Sequence, residues 1–367
     1  MSLKSISTLF AGLALVAAAQ ANNINTILGT GAAELYPVIV AGAPPDSPAN
    51  RVDPNVLTSE FTGVVSINIR FANGDSFICS GTAITRYHVL SAAHCVDSNG
   101  QGVVIDITQA GNDVRIVVND DGVFNAATDL ITANQVTIHP DYEGFGICPV
   151  GVAGQCVNDD IAIIRLSQAL PLTVAIYDIA PQVIPTGSVF EMVGYGLSGN
   201  GLTGYTVNPS FFVKRDGANV YDLFDTDDEQ NFSAASAPEV WFYDFDGTRG
   251  GVNRDTFCLL GLACSAQLAN DVETHLGGGD SGGPSFIVGP DGQRWLVANN
   301  TFGINFCYSD DSPCRSGDFG DAGGGILLAS YRDWIYATAV PEPASAALIG
   351  LSLLLLAAGH RSRKSAR

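Results

Sequence analysis

The sequence predicts an antiparallel all-β architecture. Short β-branched runs recur along it, Gly, Asn and Asp clusters separate them at strand-plus-turn spacing, and no repeat, heptad or long helical period intervenes. The runs occupy residues 64–70, 103–107, 114–118, 135–138, 161–166, 189–193 and 295–304. One segment reads as a helix, residues 330–339, at the end of the folded body. Polar, Gly-rich tracts such as 222–229 and 309–321 read as surface loops, and no ligand spacing in them marks a calcium loop.

Composition narrows the class. The 367 residues are 46% apolar and 15% charged, with 41 Gly, 17 Pro and a mean hydropathy of +0.21, which excludes disorder, a coiled coil and a collagen-like repeat. Lys plus Arg number 17 against 37 Asp plus Glu, for a net charge of −20. A nucleic-acid binder needs a basic face to replace phosphate counterions, so that partner class is excluded. The length allows two domains, or one β enzyme with extra segments.

Both ends read as targeting segments. Residues 1–21 form a signal peptide: Lys4 supplies the positive start, residues 9–19 an apolar run too short to span a membrane, and Ala19-Gln20-Ala21 the small-x-small cleavage site. At the other end, Val340-Pro341-Glu342-Pro343 precedes an apolar stretch at 344–359 and a basic finish of Arg361, Arg363, Lys364 and Arg367. This tail, residues 340–367, resembles the PEP-CTERM sorting signal of Gram-negative bacteria; the alternative is a plain one-helix anchor. The resemblance implies a transient inner-membrane anchor, recognition by an exosortase-type machinery, and a protein body outside the cytoplasm. Removing both ends takes away five cations and one acid and leaves the exported part at −24.

Eight cysteines fall in four close pairs, Cys79 with Cys95, Cys148 with Cys156, Cys258 with Cys264 and Cys307 with Cys314. Behind a secretion signal they read as disulfides, because the compartment is oxidising and no Cys-x-x-Cys clustering appears. Nearest-neighbour pairing is the simplest of many connectivities.

Three short segments carry chemistry. Gly277-Gly278-Gly279-Asp280-Ser281-Gly282-Gly283-Pro284 places a hydroxyl on a glycine-lined turn whose N–H groups can face a developing oxyanion. Leu90-Ser91-Ala92-Ala93-His94-Cys95 holds an imidazole among small residues. Asn158-Asp159-Asp160-Ile161-Ala162 sets an acid at the entrance to a buried strand, where a carboxylate needs a donor and an imidazole N–H would serve. From about residue 61 to 334 the chain resembles the trypsin-like serine proteases of the chymotrypsin fold. Phe77-Ile78-Cys79-Ser80-Gly81, His139-Pro140-Asp141-Tyr142, Val193-Gly194-Tyr195-Gly196, Thr301-Phe302-Gly303 and the Trp helix at 331–335 add to the resemblance.

That resemblance implies two packed six-stranded antiparallel β-barrels with a C-terminal helix, and a serine endopeptidase acting on protein or peptide substrates as a monomer. It makes Ser281 the nucleophile, His94 the base and then acid, and Asp160, in preference to Asp159, the group that fixes the imidazole. Gly279 and Ser281 supply the oxyanion hole, Cys79 bridges Cys95, and Thr301, Phe302 and Gly303 form the substrate-binding edge. His275 stands where the specificity pocket has its base, or is merely loop; a trypsin proper has Asp there, so cleavage after Arg or Lys does not carry over. Gly277 replaces a family cysteine, and the extra length goes into loops such as 144–157 and 221–250.

In the family a newly cut apolar N-terminus pairs with the acid before the nucleophile, here Asp280. Two starts qualify, Ile39 and Val52. Val52 follows the basic Arg51 and is favoured, which divides the chain into a pro-segment at 22–51, a protease domain at 52–339 and the tail. No cofactor is implied, and with five histidines and no His-x-x-x-His pair no catalytic metal is expected. The rival reading is a catalytically silent, surface-retained binding module.

Overall fold

The computed structural model describes residues 39–308 and 314–339, together with the backbone of residues 33–34. The predicted signal peptide and sorting tail lie outside the described residues, as does most of the chain before Ile39. Among the described residues no helix is long and apolar enough to cross a membrane.

In chain order the strands are β1 (Ala33–Glu34), β2 (Val64–Arg70), β3 (Ser76–Thr85), β4 (His88–Ser91), β5 (Asp113–Val117), β6 (Leu130–Ile138), β7 (Ala162–Leu166), β8 (Asp178–Ile179), β9 (Val189–Gly194), β10 (Ser198–Asn200), β11 (Gly204–Val207), β12 (Arg215–Val220), β13 (Leu223–Thr226), β14 (Pro238–Asp244), β15 (Thr248–Arg249), β16 (Val252–Asn253), β17 (Pro284–Val288), β18 (Arg294–Ile304) and β19 (Ala322–Leu327). The α-helices are α1 (Thr256–Leu259) and α2 (Arg332–Ala339), and Ala93–Cys95 make a 3₁₀ turn.

Strands β2, β3, β4, β7, β6 and β5 close into an antiparallel barrel. Successive side chains of a strand point to opposite faces, so one strand can serve two cores. From β2, Val65, Ile67 and Ile69 enter the barrel core; from β7, Ala162, Ile164 and Leu166 do the same. The interleaved Val64, Ile161 and Ile163 point the other way, into a second buried cluster that also holds Val193, Phe242, Phe286, Leu296 and Ile326 of the sheet. That shared cluster joins the two halves, and Ile335 and Ala339 of α2 pack into it.

The second half is a nine-stranded sheet ordered β12-β9-β17-β18-β19-β14-β13, with β1 and β8 also paired to β18. It departs from the expected second six-stranded barrel. The free edge of β12 is taken by a loop: Ala218 N–H donates to Val272 O at 2.9 Å and Thr274 N–H to Ala218 O at 3.0 Å. At the far side Tyr221-Asp222 carry the chain from β12 straight into β13, the Asp222 N–H donates to Phe242 O at 3.0 Å, and Asn219 Nδ2 donates to Asp244 O at 2.9 Å.

Two further expectations change. Residues 103–107 form no strand, because the Asp97 carboxylate accepts the N–H groups of Asn99, Gly100 and Gly102 and folds the chain into a turn. Residues 222–229 are not a surface loop, and 221–250 is no simple insertion: β13 and β14 pair there, with Asp222, Asp225 and Asp228 buried. Disulfides join Cys79–Cys95, Cys148–Cys156, Cys258–Cys264 and Cys307–Cys314. Each closes a short loop within one half.

Candidate active site

His94 sits in the 3₁₀ turn after β4, and Asp160 stands two residues before β7, which pairs with β4. That pairing brings them together. His94 Nδ1 lies 2.6 Å from Asp160 Oδ2, and the His94 backbone N–H donates to Asp160 Oδ1 at 2.8 Å. Both oxygens of a fully buried carboxylate are thus occupied by one residue, which fixes the ring's orientation and selects the tautomer with the proton on Nδ1. Asp159 faces elsewhere, with Oδ1 3.0 Å from His139 Nδ1.

Ser281 comes from the sheet half. Its carbonyl accepts the Ser80 N–H at 2.9 Å, and Cys95 Sγ lies 3.7 Å from the same oxygen, so its turn stands against the His94–Cys95 turn. Gly279 has φ +112, and a Cβ there would meet Gly196 Cα at 2.9 Å, so only glycine fits. Among the described residues no backbone carbonyl accepts the N–H of Gly279 or Ser281, which leaves both donors for a ligand oxygen.

Asp280 points the opposite way, into the interior. Its Oδ1 accepts the Gly196 N–H at 2.7 Å, and a Cβ on Gly194 would sit 1.9 Å from that oxygen, which accounts for the glycines of the 194–196 motif. Burial pushes the Asp280 carboxyl up to about 7, against the opposing pull of the Gly196 N–H, the Arg215 charge and the Ile39 N–H.

The structure therefore puts the Ile39 end, and not Val52, at Asp280. Ile39, Val40 and Ala41 are buried; Val40 N–H donates to His275 O at 2.8 Å and Ala41 N–H to Gly199 O at 3.0 Å. Val52 is 39% exposed. Arg51, read from the sequence as a cleavage residue, is a buried clamp. Its Nε and Nη2 reach Asp46 Oδ2 at 2.9 and 2.8 Å, while Nη1 and Nη2 donate to the carbonyls of Val272 and Glu273 at 2.8 and 2.9 Å. Lysine keeps the charge but cannot reproduce this fork. Arg51→Lys is expected to lower stability by about 1–3 kcal/mol, read as a fall in the urea midpoint.

His275 is buried between Phe245, stacked at 5.7 Å, and the Tyr243 hydroxyl, 3.3 Å from Nδ1. Burial pulls its pKa down to about 3, so it is neutral. With Tyr205, Gly303, Ile304, Asn305, Ser316 and Asp321 it lines a cavity of about 10 Å³, room for roughly one water. Gly303 pairs with Glu34 of β1, and Thr301 and Phe302 are fully buried. Phe302 packs edge-on against Phe242 in the shared core, so it is a core residue where the sequence implied a substrate contact.

Residues 58–210 match the family model described as Trypsin. This stretch of the chain is similar to the trypsin-like serine proteases. The matched stretch includes His94 and Asp160 and ends before Ser281. Similar curated proteins are Brachyurin of Leptuca pugilator, 28% identical over 132 residues, 35% of this chain and 50% of the relative, and Venom serine protease Bi-VSP of Bombus ignitus, 34% identical over 101 residues, 28% and 23%. Trypsin V-A of Rattus norvegicus is 27% identical over 174 residues, 47% and 57%. The chain thus spans about half or less of the first two relatives' length.

Two residues of the candidate site carry no signal in the sequence. Phe145, three residues before the Cys148–Cys156 disulfide loop, meets the His94 ring edge-on at 5.5 Å. Asn299 of β18 is fully buried and donates from Nδ2 to Asp160 O at 3.0 Å, fixing the strand entrance from the sheet side. Neither lies in a motif, and only the spatial neighbourhood of His94 and Asp160 singles them out.

Proposed function

We propose that the protein is an exported serine endopeptidase. Ser281 Oγ attacks the peptide carbonyl carbon while His94 Nε2 accepts its proton. His94 then gives that proton to the leaving amine, and water repeats the sequence on the acyl-enzyme. Asp160 holds the imidazole and stabilises its cationic form. The Gly279 and Ser281 N–H groups receive the oxyanion. The observation that carries this reading is the two-oxygen grip of Asp160 on His94, at 2.6 and 2.8 Å.

Activation follows as cleavage before Ile39, whose new ammonium replaces an amide N–H at Asp280. The functional divisions then become a signal peptide at 1–21, a pro-segment at 22–38, a protease domain at 39–339 and a sorting tail at 340–367. The neutral His275 gives no reason to expect cleavage after Arg or Lys. The leader and tail sequences support export from a bacterial cell and retention at its surface through exosortase-type sorting.

The test is a fluorophosphonate probe on the processed protein. Labelling of wild type and loss of labelling in Ser281→Ala are expected; an unlabelled, correctly processed wild type would favour the silent binding module.

A further inference from the structure

Peptide hydrolysis leaves one group of side chains unexplained. The acidic tract after β13 packs back onto the barrel at the residue before Asp160. There a carboxylate oxygen from each of Asp159, Asp228, Glu229 and Glu239 lies within 4.8 Å of the others. Asp159, Asp228 and Glu239 are buried, at 3%, 3% and 8% exposure, and Glu229 opens to solvent. Asp228 Oδ1 is buried in this group without a hydrogen-bond partner.

Their surroundings do not balance them. Asp159 Oδ1 has His139 Nδ1 at 3.0 Å, Glu239 Oε2 accepts from Asn158 Nδ2 at 2.9 Å, and the Asp159 N–H reaches Tyr331 Oη at 3.2 Å. Among the described residues no Lys or Arg forms an ion pair with any of the four acids. Four ionised carboxylates in a poorly solvated space repel one another unless protons neutralise them or a cation stands among them.

We propose that Asp159, Asp228, Glu229 and Glu239 bind one calcium ion that ties the sheet half to the barrel beside Asp160. The donor set is all oxygen, which selects a hard cation over zinc or copper. Ligand number selects within that class. Ca²⁺ takes six to eight oxygen ligands in flexible geometry, whereas Mg²⁺ keeps several waters and is held through one or two carboxylates. Four carboxylates in one group suit calcium. Glu229 gives the ion its way in from solvent. The binding claim is independent of the proteolytic reading.

The experiment titrates Tb³⁺ into the full chain after EDTA treatment, with excitation of the aromatic residues. Tyr331 touches Asp159, and its ring and that of Trp334 lie 5.1 and 4.8 Å from His139, so bound Tb³⁺ is close to two sensitisers. One sensitised Tb³⁺ per chain is expected, displaced by Ca²⁺ at lower concentration than by Mg²⁺. Asp228→Asn and Glu239→Gln are each expected to weaken Ca²⁺ binding by about 10-fold or more, and to remove the Ca²⁺-induced rise in Tm that mass action predicts for wild type. Absence of sensitised emission from wild type overturns the proposal. So does unchanged Ca²⁺ affinity in both variants, which would move the ion elsewhere, for example to the Asp244, Asp246 and Asp255 group. Should Asp228→Asn fail to fold, the wild-type titration and Glu239→Gln decide.

Discussion

Asp160→Asn is expected to lower kcat by about 10⁴-fold with little change in the circular dichroism spectrum or in KM. The substitution preserves size and removes one acceptor. In the wild type Oδ1 takes the His94 backbone N–H and Oδ2 the ring proton on Nδ1. An asparagine can keep only one of these acceptances with its oxygen; its NH₂ group then faces Nδ1 as a donor and forces the ring proton onto Nε2. That atom must accept the Ser281 proton, so the base is disabled while the fold stands. Steady-state kinetics on a peptide substrate measure the loss. A loss of less than tenfold would show that Asp160 does not set the tautomer and would undermine the proposed mechanism.

Cutting the chain before Ile39 is expected to reverse the pH dependence of stability. In the uncut chain Asp280 is fully buried and titrates near 7, well above the 3.8 of an unperturbed aspartate. The native state therefore holds the proton more tightly than the unfolded state. Its stability is greatest below about pH 4 and falls as pH rises through 7, by on the order of 4 kcal/mol. An ammonium at Ile39 pulls the carboxyl down, and stability is then retained above pH 7 until the amine itself loses its proton. Urea midpoints at pH 5 and pH 8, on Ser281→Ala protein cut at residue 39 and left uncut, test this. Parallel pH profiles for the two forms would sink the activation scheme. In the cut form, Asp280→Ala strands that ammonium in the interior. Breaking such a buried pair costs about 3–5 kcal/mol, so the competent conformation is expected to fall by roughly 10²–10⁴-fold, with kcat/KM following it.

Much of the fold was legible because strands that feed two cores leave short runs rich in β-branched and apolar residues. Residues 64–70, 161–166 and 189–193 each become strands within one residue of the reading, and each feeds two cores. Residues 222–229 were illegible for the opposite reason: Asp222, Asp225 and Asp228 look like solvent-facing groups, and their burial depends on partners far along the chain. The open edge of the sheet half was also beyond reach, since it depends on where residues 272–274 happen to lie.

The site divides in the same way. His94, Asp160 and Ser281 stand in compact motifs whose neighbours are small or glycine for local steric reasons. Phe145 and Asn299 carry no such signature, because their roles come from tertiary packing against His94 and Asp160. Arg51 misled for a physical reason: a basic residue before an apolar one looks like a processing site, yet its guanidinium is spent on Asp46 and three carbonyls. Sequence spacing is silent about whether a bond is accessible.

The four disulfides, each confined to one half, have a consequence for the way the molecule works as an assembly. His94 and Asp160 belong to the barrel and Ser281 to the sheet, so the proposed chemistry exists only at the junction of two bodies joined by backbone, by the shared apolar cluster and by hydrogen bonds such as those of Ser80 and Asn299. They behave as tethered partners whose encounter is governed by effective concentration, on the millimolar scale for a short connection. Weakening Ile163 or Phe286 would let the halves part while each keeps its own strands, and turnover would then report their docking before any spectroscopic sign of unfolding.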